Sequence, residues 1–173
     1  MPSSSKAELR ALHLSLRPRS SAGLTEQLIA LVEKLGVKTV ASYHPLRSEP
    51  DTSAFNREFS RSNNLLLPRI IDDEIEFAFG DLTKGSLGIM EPTGERFPID
   101  AIELILVPAL AIDAFGNRLG KGKGYYDRVL KTSVATAVGV IFDGELVPEI
   151  AAEEHDVRMQ YAITPTGLKR FDQ

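Results

Sequence analysis

The sequence predicts an α/β fold in which helices cover a mostly parallel sheet. Three observations predict it. Segments with helical periodicity alternate with short apolar or β-branched segments. Leu104-Ile105-Leu106-Val107 is an unbroken apolar run, the pattern of a parallel strand buried on both faces. Residues 135–142 repeat that pattern.

The elements follow in chain order. Ser5-Lys6-Ala7-Glu8 has the pattern of a capping box, in which side-chain oxygens of Ser5 and Glu8 accept backbone N–H groups that the helix leaves unpaired. Leu9, Leu12 and Leu16 come at helical spacing, so a first helix is expected over residues 5–17, with Pro18 ending it. A second helix is expected over 24–35, with Leu28, Leu31, Val32 and Leu35 on one face and Gly36 as its C-terminal cap. Residues 37–43 form a short run with β-branched Val37, Thr39 and Val40 and read as a strand. Asp51 opens a third helix with Phe55 and Phe59 one turn apart. Residues 65–68 and 75–79 read as strands, the first ending at Pro68 or lying at an edge there. Residues 80–98 are rich in glycine and proline and read as turns. The apolar strands at 104–107 and 135–142 flank a last helix that begins near Tyr125, and Tyr161-Ala162-Ile163 reads as the final strand.

Composition bounds the function. A chain of 173 residues has the size of one domain of about 100–200 residues, so residues 1–173 are expected to form a single domain. A formal net charge of −4 gives no bulk attraction to nucleic acid or anionic lipid, and neither partner is expected. With no cysteine, thiol catalysis, disulfides and thiolate metal sites are excluded. No apolar run has the length of a membrane span, and Lys6, Glu8 and Arg10 interrupt any signal-peptide core. A cytoplasmic monomer is the expectation.

Residues 104–130 carry the chemistry. A buried strand leads through a glycine-rich loop, with Gly116, Gly120, Gly122 and Gly124, into a helix. In an open parallel sheet ligands bind beyond the carboxyl ends of strands. Glycines let backbone N–H groups approach an anion, and a helix N-terminus adds partial positive charge. Arg118, Lys121, Lys123 and Arg128 set against Asp113 and Asp127 leave two net positive charges on this stretch of an acidic chain. That suits a polyphosphate. The loop has neither the Walker A spacing nor the third glycine of the dinucleotide fingerprint. Glycine-rich loops also serve simple turns, so the glycines alone leave the function open. Asp127, in the first turn of the helix, and Asp156, in an acidic run, have the side chain that Mg²⁺ prefers alongside phosphate oxygens. Both also fit ordinary solvated acids. His13, His44 and His155 show no metal-ligand spacing.

The segment Asn117-Arg118-Leu119-Gly120-Lys121-Gly122-Lys123-Gly124-Tyr125-Tyr126-Asp127-Arg128 resembles the signature of the 5-formyltetrahydrofolate cyclo-ligase family. Leu106-Val107-Pro108-Ala109 and Asp113 fit the same pattern. So do Lys6-x-x-Leu9-Arg10, Tyr43, Glu49-x-Asp51-Thr52, Leu67-Pro68-Arg69, Glu91-Pro92 and His155-Asp156, in the family's order. The resemblance implies a three-layer α/β/α sandwich around a mostly parallel sheet, with ATP as co-substrate and Mg²⁺ as cofactor. It implies that Lys6, Arg10 and Arg118 through Tyr126, including Leu119, Gly120, Gly122 and Gly124, contact ATP. Arg10, His44, Glu49, Lys121, Gly122, Lys123, Gly124 and Tyr125 would border the folate, with Glu49 on the reduced pterin. Arg118, Lys121, Lys123 and Tyr125 would act in catalysis, and Asp127 and Asp156 would hold the metal.

The reaction implied is closure of 5-formyltetrahydrofolate to 5,10-methenyltetrahydrofolate with release of ADP and phosphate. The γ-phosphoryl group moves to the formyl oxygen, N10 attacks the formyl carbon, and phosphate leaves. Both reacting groups lie on one folate, so the protein needs only to align two ligands and neutralise charge. Two other readings use the same residues: a sugar-phosphate isomerase or acyl transferase of related fold, and a folate-binding module without turnover.

Overall fold

The computed structural model describes residues 5–18 and 20–172, so the ends of the expected single domain and Arg19 lie outside them. The helices are α1 (Lys6–Leu16), α2 (Leu24–Leu35), α3 (Ser53–Phe59) and α4 (Tyr125–Lys131). The strands of the large sheet are β1 (Thr39–Ala41), β2 (Asn64–Ile71), β3 (Glu74–Ala78), β6 (Leu104–Pro108), β9 (Thr136–Val140), β11 (Tyr161–Thr164) and β12 (Gly167–Arg170). Shorter pieces are β4 (Leu82–Lys84), β5 (Met90–Pro92), β7 (Ala111–Asp113), β8 (Arg118–Leu119) and β10 (Leu146–Val147). None of these helices is long and apolar enough to cross a membrane.

The large sheet runs β12-β11-β9-β6-β1-β2-β3. Its five inner strands are parallel, and antiparallel hairpins close both edges. Side chains alternate across it. Leu104, Leu106, Val138 and Val140 meet Leu28, Leu31, Phe55 and Phe59 from α2 and α3 on one face. On the other face, Ile105, Val107 and Ala137 share a core with Leu130 of α4. Helices on both faces make this the expected α/β sandwich with a mostly parallel sheet. Strand order reverses between β1 and β6: the chain moves from β1 outward to β2, then returns to β6 on the opposite side. A crevice forms at the carboxyl ends of such a pair.

The capping box at Ser5 forms as expected, and the limits of α2, with Gly36 in the left-handed conformation, agree with the sequence reading. Three local expectations need correction, at residues 80–98, at Tyr161 and between β6 and the glycine loop, and two other details emerge first. Of the spaced leucines of α1, Leu9 packs against the cluster of Leu110, Leu119 and Ile150, while Leu12 is 49% exposed and Leu16 71%. The partly covered stripe is Lys6, Leu9, Arg10, His13 and Arg17, at the same helical spacing but mostly basic. β2 runs on past Pro68, which lies at an edge there, the second of the two outcomes expected. Phe77, its cross-strand partner, turns its carbonyl away from β2 to accept from the Phe97 N–H, so Pro68 occupies a non-hydrogen-bonded pair and owes β3 no donor. β1 pairs only as far as Leu66, which leaves that side of β2 open as well. The turn region at 80–98 contains the β4–β5 hairpin, whose first strand is fully exposed and so has no apolar alternation to read. Tyr161–Thr164 is not the final strand, because β12 folds back on it. Finally, β7 and β8 stand between β6 and the glycine loop, in a small sheet with β10.

Candidate active site

Asp113 builds the base of the loop. Its carboxylate accepts from the backbone N–H groups of Phe115, Asn117 and Ile150 and from Asn117 Nδ2. Burial alone would raise its pKa, but these four hydrogen bonds outweigh it and hold the carboxyl below its ordinary value. The β7–β8 turn is therefore rigid. Leu119 is buried under the loop with Leu110, Ala111 and Ile150, and its carbonyl accepts from Leu110 N–H. Its side chain belongs to the core, which leaves its backbone for the expected ATP contact.

The other site residues expected from the sequence converge on one cleft of about 370 Å³. Lys6 and Arg10 come from α1, His44 and Glu49 from the segment after β1, residues 120–124 from the loop, Tyr125, Tyr126 and Asp127 from α4, and Asp156 from the last loop. Pro108, Ala109 and Leu110 at the end of β6 form its floor, beside the strand-order reversal.

One side of the cleft is cationic. Arg118 is 7% exposed, donates Nη2 to Asp127 Oδ2 at 3.0 Å, and lies over the Tyr126 ring. Its Nε is buried and has no hydrogen-bond partner among the described residues. A buried N–H with no acceptor is costly, and an anion entering the loop would satisfy it. Gly120 makes room for this guanidinium, since a Cβ there would stand 2.4 Å from Arg118 Nη1. Arg10 Nε donates to the Gly120 carbonyl at 2.8 Å, and Arg128 Nη1 donates to the Lys123 carbonyl at 3.2 Å. Gly122 and Gly124 have φ of +95° and +71°. α4 is only seven residues long, so side chains and loop N–H groups contribute more here than the helix dipole. Lys123 is exposed and makes no ion pair among the described residues.

The remaining charges are paired across the cleft. Lys121 Nζ lies 2.7 Å from Glu49 Oε1, and Glu49 Oε2 accepts from Leu46 N–H. Lys6 Nζ lies 2.7 Å from Asp156 and 3.2 Å from Glu153. Partial burial opposes the charge on both Lys6 and Asp156, but their mutual hydrogen bond and the neighbouring groups win, raising the pKa of Lys6 and lowering that of Asp156. Burial and the charge of Glu49 push the hydroxyls of Tyr43 and Tyr126 well above the usual phenol value. Asp127 is no surface acid, with a side chain 16% exposed. Its Oδ1 accepts, at 3.4 Å, from the N–H of Val157, next to Asp156. His155 is exposed, as expected for a histidine outside a recognisable ligand spacing, although Glu153, His155 and Asp156 can bring three ligand atoms within 4.8 Å of one another.

The opposite wall is apolar, from Leu46, Ile70, Ile75, Leu87 and Ile89. The sequence reading did not single out these residues, nor Arg17, which also borders the cleft. The helical spacing of Arg17 from Lys6, Arg10 and His13 was the one available signal.

Residues 4–165 match the sequence model of the 5-formyltetrahydrofolate cyclo-ligase family. The 5-formyltetrahydrofolate cyclo-ligase of Mycolicibacterium smegmatis is 37% identical over 147 residues, 76% of each chain. The mouse enzyme of the same name is 29% identical over 178 residues, 89% of this chain and 86% of that one. The solved structure of the 5,10-methenyltetrahydrofolate synthetase of Aquifex aeolicus superposes with a TM-score of 0.83 at 31% identity, covering 97% of this chain and 93% of its own.

Proposed function

The chain belongs to the 5-formyltetrahydrofolate cyclo-ligase family, and from that premise we propose that it uses ATP to close 5-formyltetrahydrofolate into 5,10-methenyltetrahydrofolate, releasing ADP and phosphate. The observation that carries this reading is the division of one cleft. A cationic loop with a buried guanidinium N–H that has no partner among the described residues faces a carboxylate, Glu49, and an apolar wall. The first suits a triphosphate; the second suits the donor-rich edge of a pterin and the aromatic ring beyond it.

Arg118 and Lys123 bind the transferring phosphoryl group and neutralise its charge, with Lys6 and Arg10 on the rest of the triphosphate. Gly120, Gly122 and Gly124 let the backbone close around it. Glu49 and His44 orient the pterin, and Tyr125 at the head of α4 borders both ligands. Lys121, paired with Glu49 in the ligand-free protein, turns to phosphate when the pterin takes Glu49. Asp127 and Asp156 are oxygen donors on adjoining segments of the cleft and fit Mg²⁺, which would leave Arg118 and Lys6 free for phosphate oxygens. The ion supplies charge neutralisation on the phosphates.

Purified protein with 5-formyltetrahydrofolate, ATP and Mg²⁺ should develop the near-ultraviolet absorbance of the methenyl product, and omission of any one should abolish it. Folate binding without that absorbance would point to a sequestering module instead. Asp127→Asn should shift the Mg²⁺ titration to higher concentration by about tenfold or more, the effect expected of a lost charged contact. An unaltered titration would remove Asp127 from the metal.

A further inference from the structure

Arg17 follows α1 at the end of its inward stripe. Its side chain is 4% exposed, and that of its partner Glu145 is 5% exposed. Nε donates to Glu145 Oε1 at 2.8 Å and Nη2 to Oε2 at 3.1 Å. Nη2 also donates to the Ala109 carbonyl, and Nη1 donates to the Ser48 carbonyl at 2.7 Å. The guanidinium carbon lies over the ring of Phe142, 5.2 Å from its centroid, and the Phe142 backbone N–H donates to Glu145 Oε2 at 2.8 Å. A guanidinium has five N–H donors, and these contacts engage all three of its nitrogens. Arg17 borders the cleft, but little of it is left for a ligand.

Its acceptors lie on the two lips of the crevice. Ala109 directly follows β6, and Ser48 belongs to the segment after β1. These are the two strands between which the sheet order reverses. Ser48 also precedes Glu49. On the other side of Glu49, the hydroxyl of Tyr43, which is 2% exposed, donates to the Pro50 carbonyl at 2.8 Å. The carbonyls of Ser48 and Pro50, the residues on either side of Glu49, are thus both held from inside the protein. Glu49 Oε2 is held by Leu46 N–H, which leaves Oε1 as the oxygen that faces Lys121.

We infer that Arg17, fixed by Glu145, is a positioning residue for substrate: it sets the Glu49 carboxylate at the height and angle at which the folate is bound. This rests on the assignment of Glu49 to the pterin. An apolar pair of the same volume would serve stability as well as a buried ion pair does. It could not grip two carbonyls from separate segments. Lysine could pair with Glu145 but lacks the planar fork that reaches both carbonyls at once.

The test is a cycle of Arg17→Lys, Glu49→Gln and the two combined. The dissociation constant of 5-formyltetrahydrofolate is measured by calorimetry without nucleotide, and that of ATP is measured separately. Arg17→Lys should weaken folate binding about tenfold, the scale of one well-aligned charged hydrogen bond, and leave ATP binding unchanged. In the Glu49→Gln background it should add nothing, because Arg17 acts through that carboxylate. Equal losses in both backgrounds, or a change in melting temperature with no change in folate affinity, would overturn the proposal. If Glu49→Gln itself leaves folate binding intact, the pterin assignment fails and the proposal falls with it. Should Arg17→Lys not fold, Arg17→Met/Glu145→Leu removes both buried charges together; a folded protein with wild-type folate affinity would equally overturn the inference.

Discussion

Arg118→Met will lower kcat on the order of 10²–10³-fold, the loss seen when one preorganised donor to a developing oxyanion is removed. The guanidinium is almost fully covered, is oriented by Asp127 and the Tyr126 ring, and carries a buried Nε–H with no acceptor among the described residues. Such a group gains most when charge arrives beside it, because water has already been excluded. Methionine keeps much of the stem's volume and contact with Tyr126, so melting should fall only modestly. Asp127 loses its partner but can turn its carboxylate to solvent or metal. Steady-state rates of methenyl formation measure the effect, with circular dichroism as the control for folding. A folded Arg118→Met protein within threefold of the wild-type kcat would remove Arg118 from the phosphoryl site. Lysine should recover part of the loss as a point charge without the fork.

Asp113→Ala will cost about 3–5 kcal/mol of stability, since it leaves the buried N–H groups of Asn117 and Ile150 without partners at roughly 1–3 kcal/mol each, besides the lost Asn117 side-chain bond. For a chain of this size that is ~10 °C or more in melting temperature. Asp113→Asn will not restore it. Each carboxylate oxygen faces two donors, so an amide nitrogen in either place opposes other N–H groups. The pH dependence carries a sign. The folded carboxyl titrates below its unfolded value, so its contribution is fully present above the unfolded pKa of about 3.9 and is lost as pH falls through the lower folded pKa. Wild-type stability should therefore decline more steeply below about pH 4 than that of Asp113→Ala. Thermal melts from pH 3 to 7 test both points. Parallel pH profiles, or a wild-type melting temperature for Asp113→Ala, would show that the turn does not depend on this carboxylate.

Much of the fold was legible because its signals are local. The box at Ser5, the glycine after α2 and the left-handed Gly124 ahead of Tyr125 each mark a helix limit within one turn of chain. Leu104–Val107 announced a central strand, since a strand covered on both faces has no polar side to show. The β4–β5 hairpin was illegible for the opposite reason: its first strand is exposed on every residue. The covered face of α1 was not legible from its leucines, because the stripe that meets the rest of the protein is mostly basic. Among the site residues, the loop was found from glycines and cations in one short segment. The apolar wall was not, because Ile70, Ile75, Leu87 and Ile89 resemble any other strand or turn residues until the fold brings them to one cleft.

By itself the sequence determined the helices, the central strands, the chemical inventory of the loop and the family to which these residues point. Each of those depends on neighbours within a few positions, where capping, periodicity and backbone freedom act. Only the tertiary structure decided which charges meet. Lys121 finds Glu49 across 72 positions, Arg17 finds Glu145 across 128, and Lys6 finds Asp156 across 150. Those pairings depend on strand order and on the reversal between β1 and β6, which bring distant segments to one crevice. No spacing along the chain encodes that meeting, because its geometry is set by packing on both faces of the sheet.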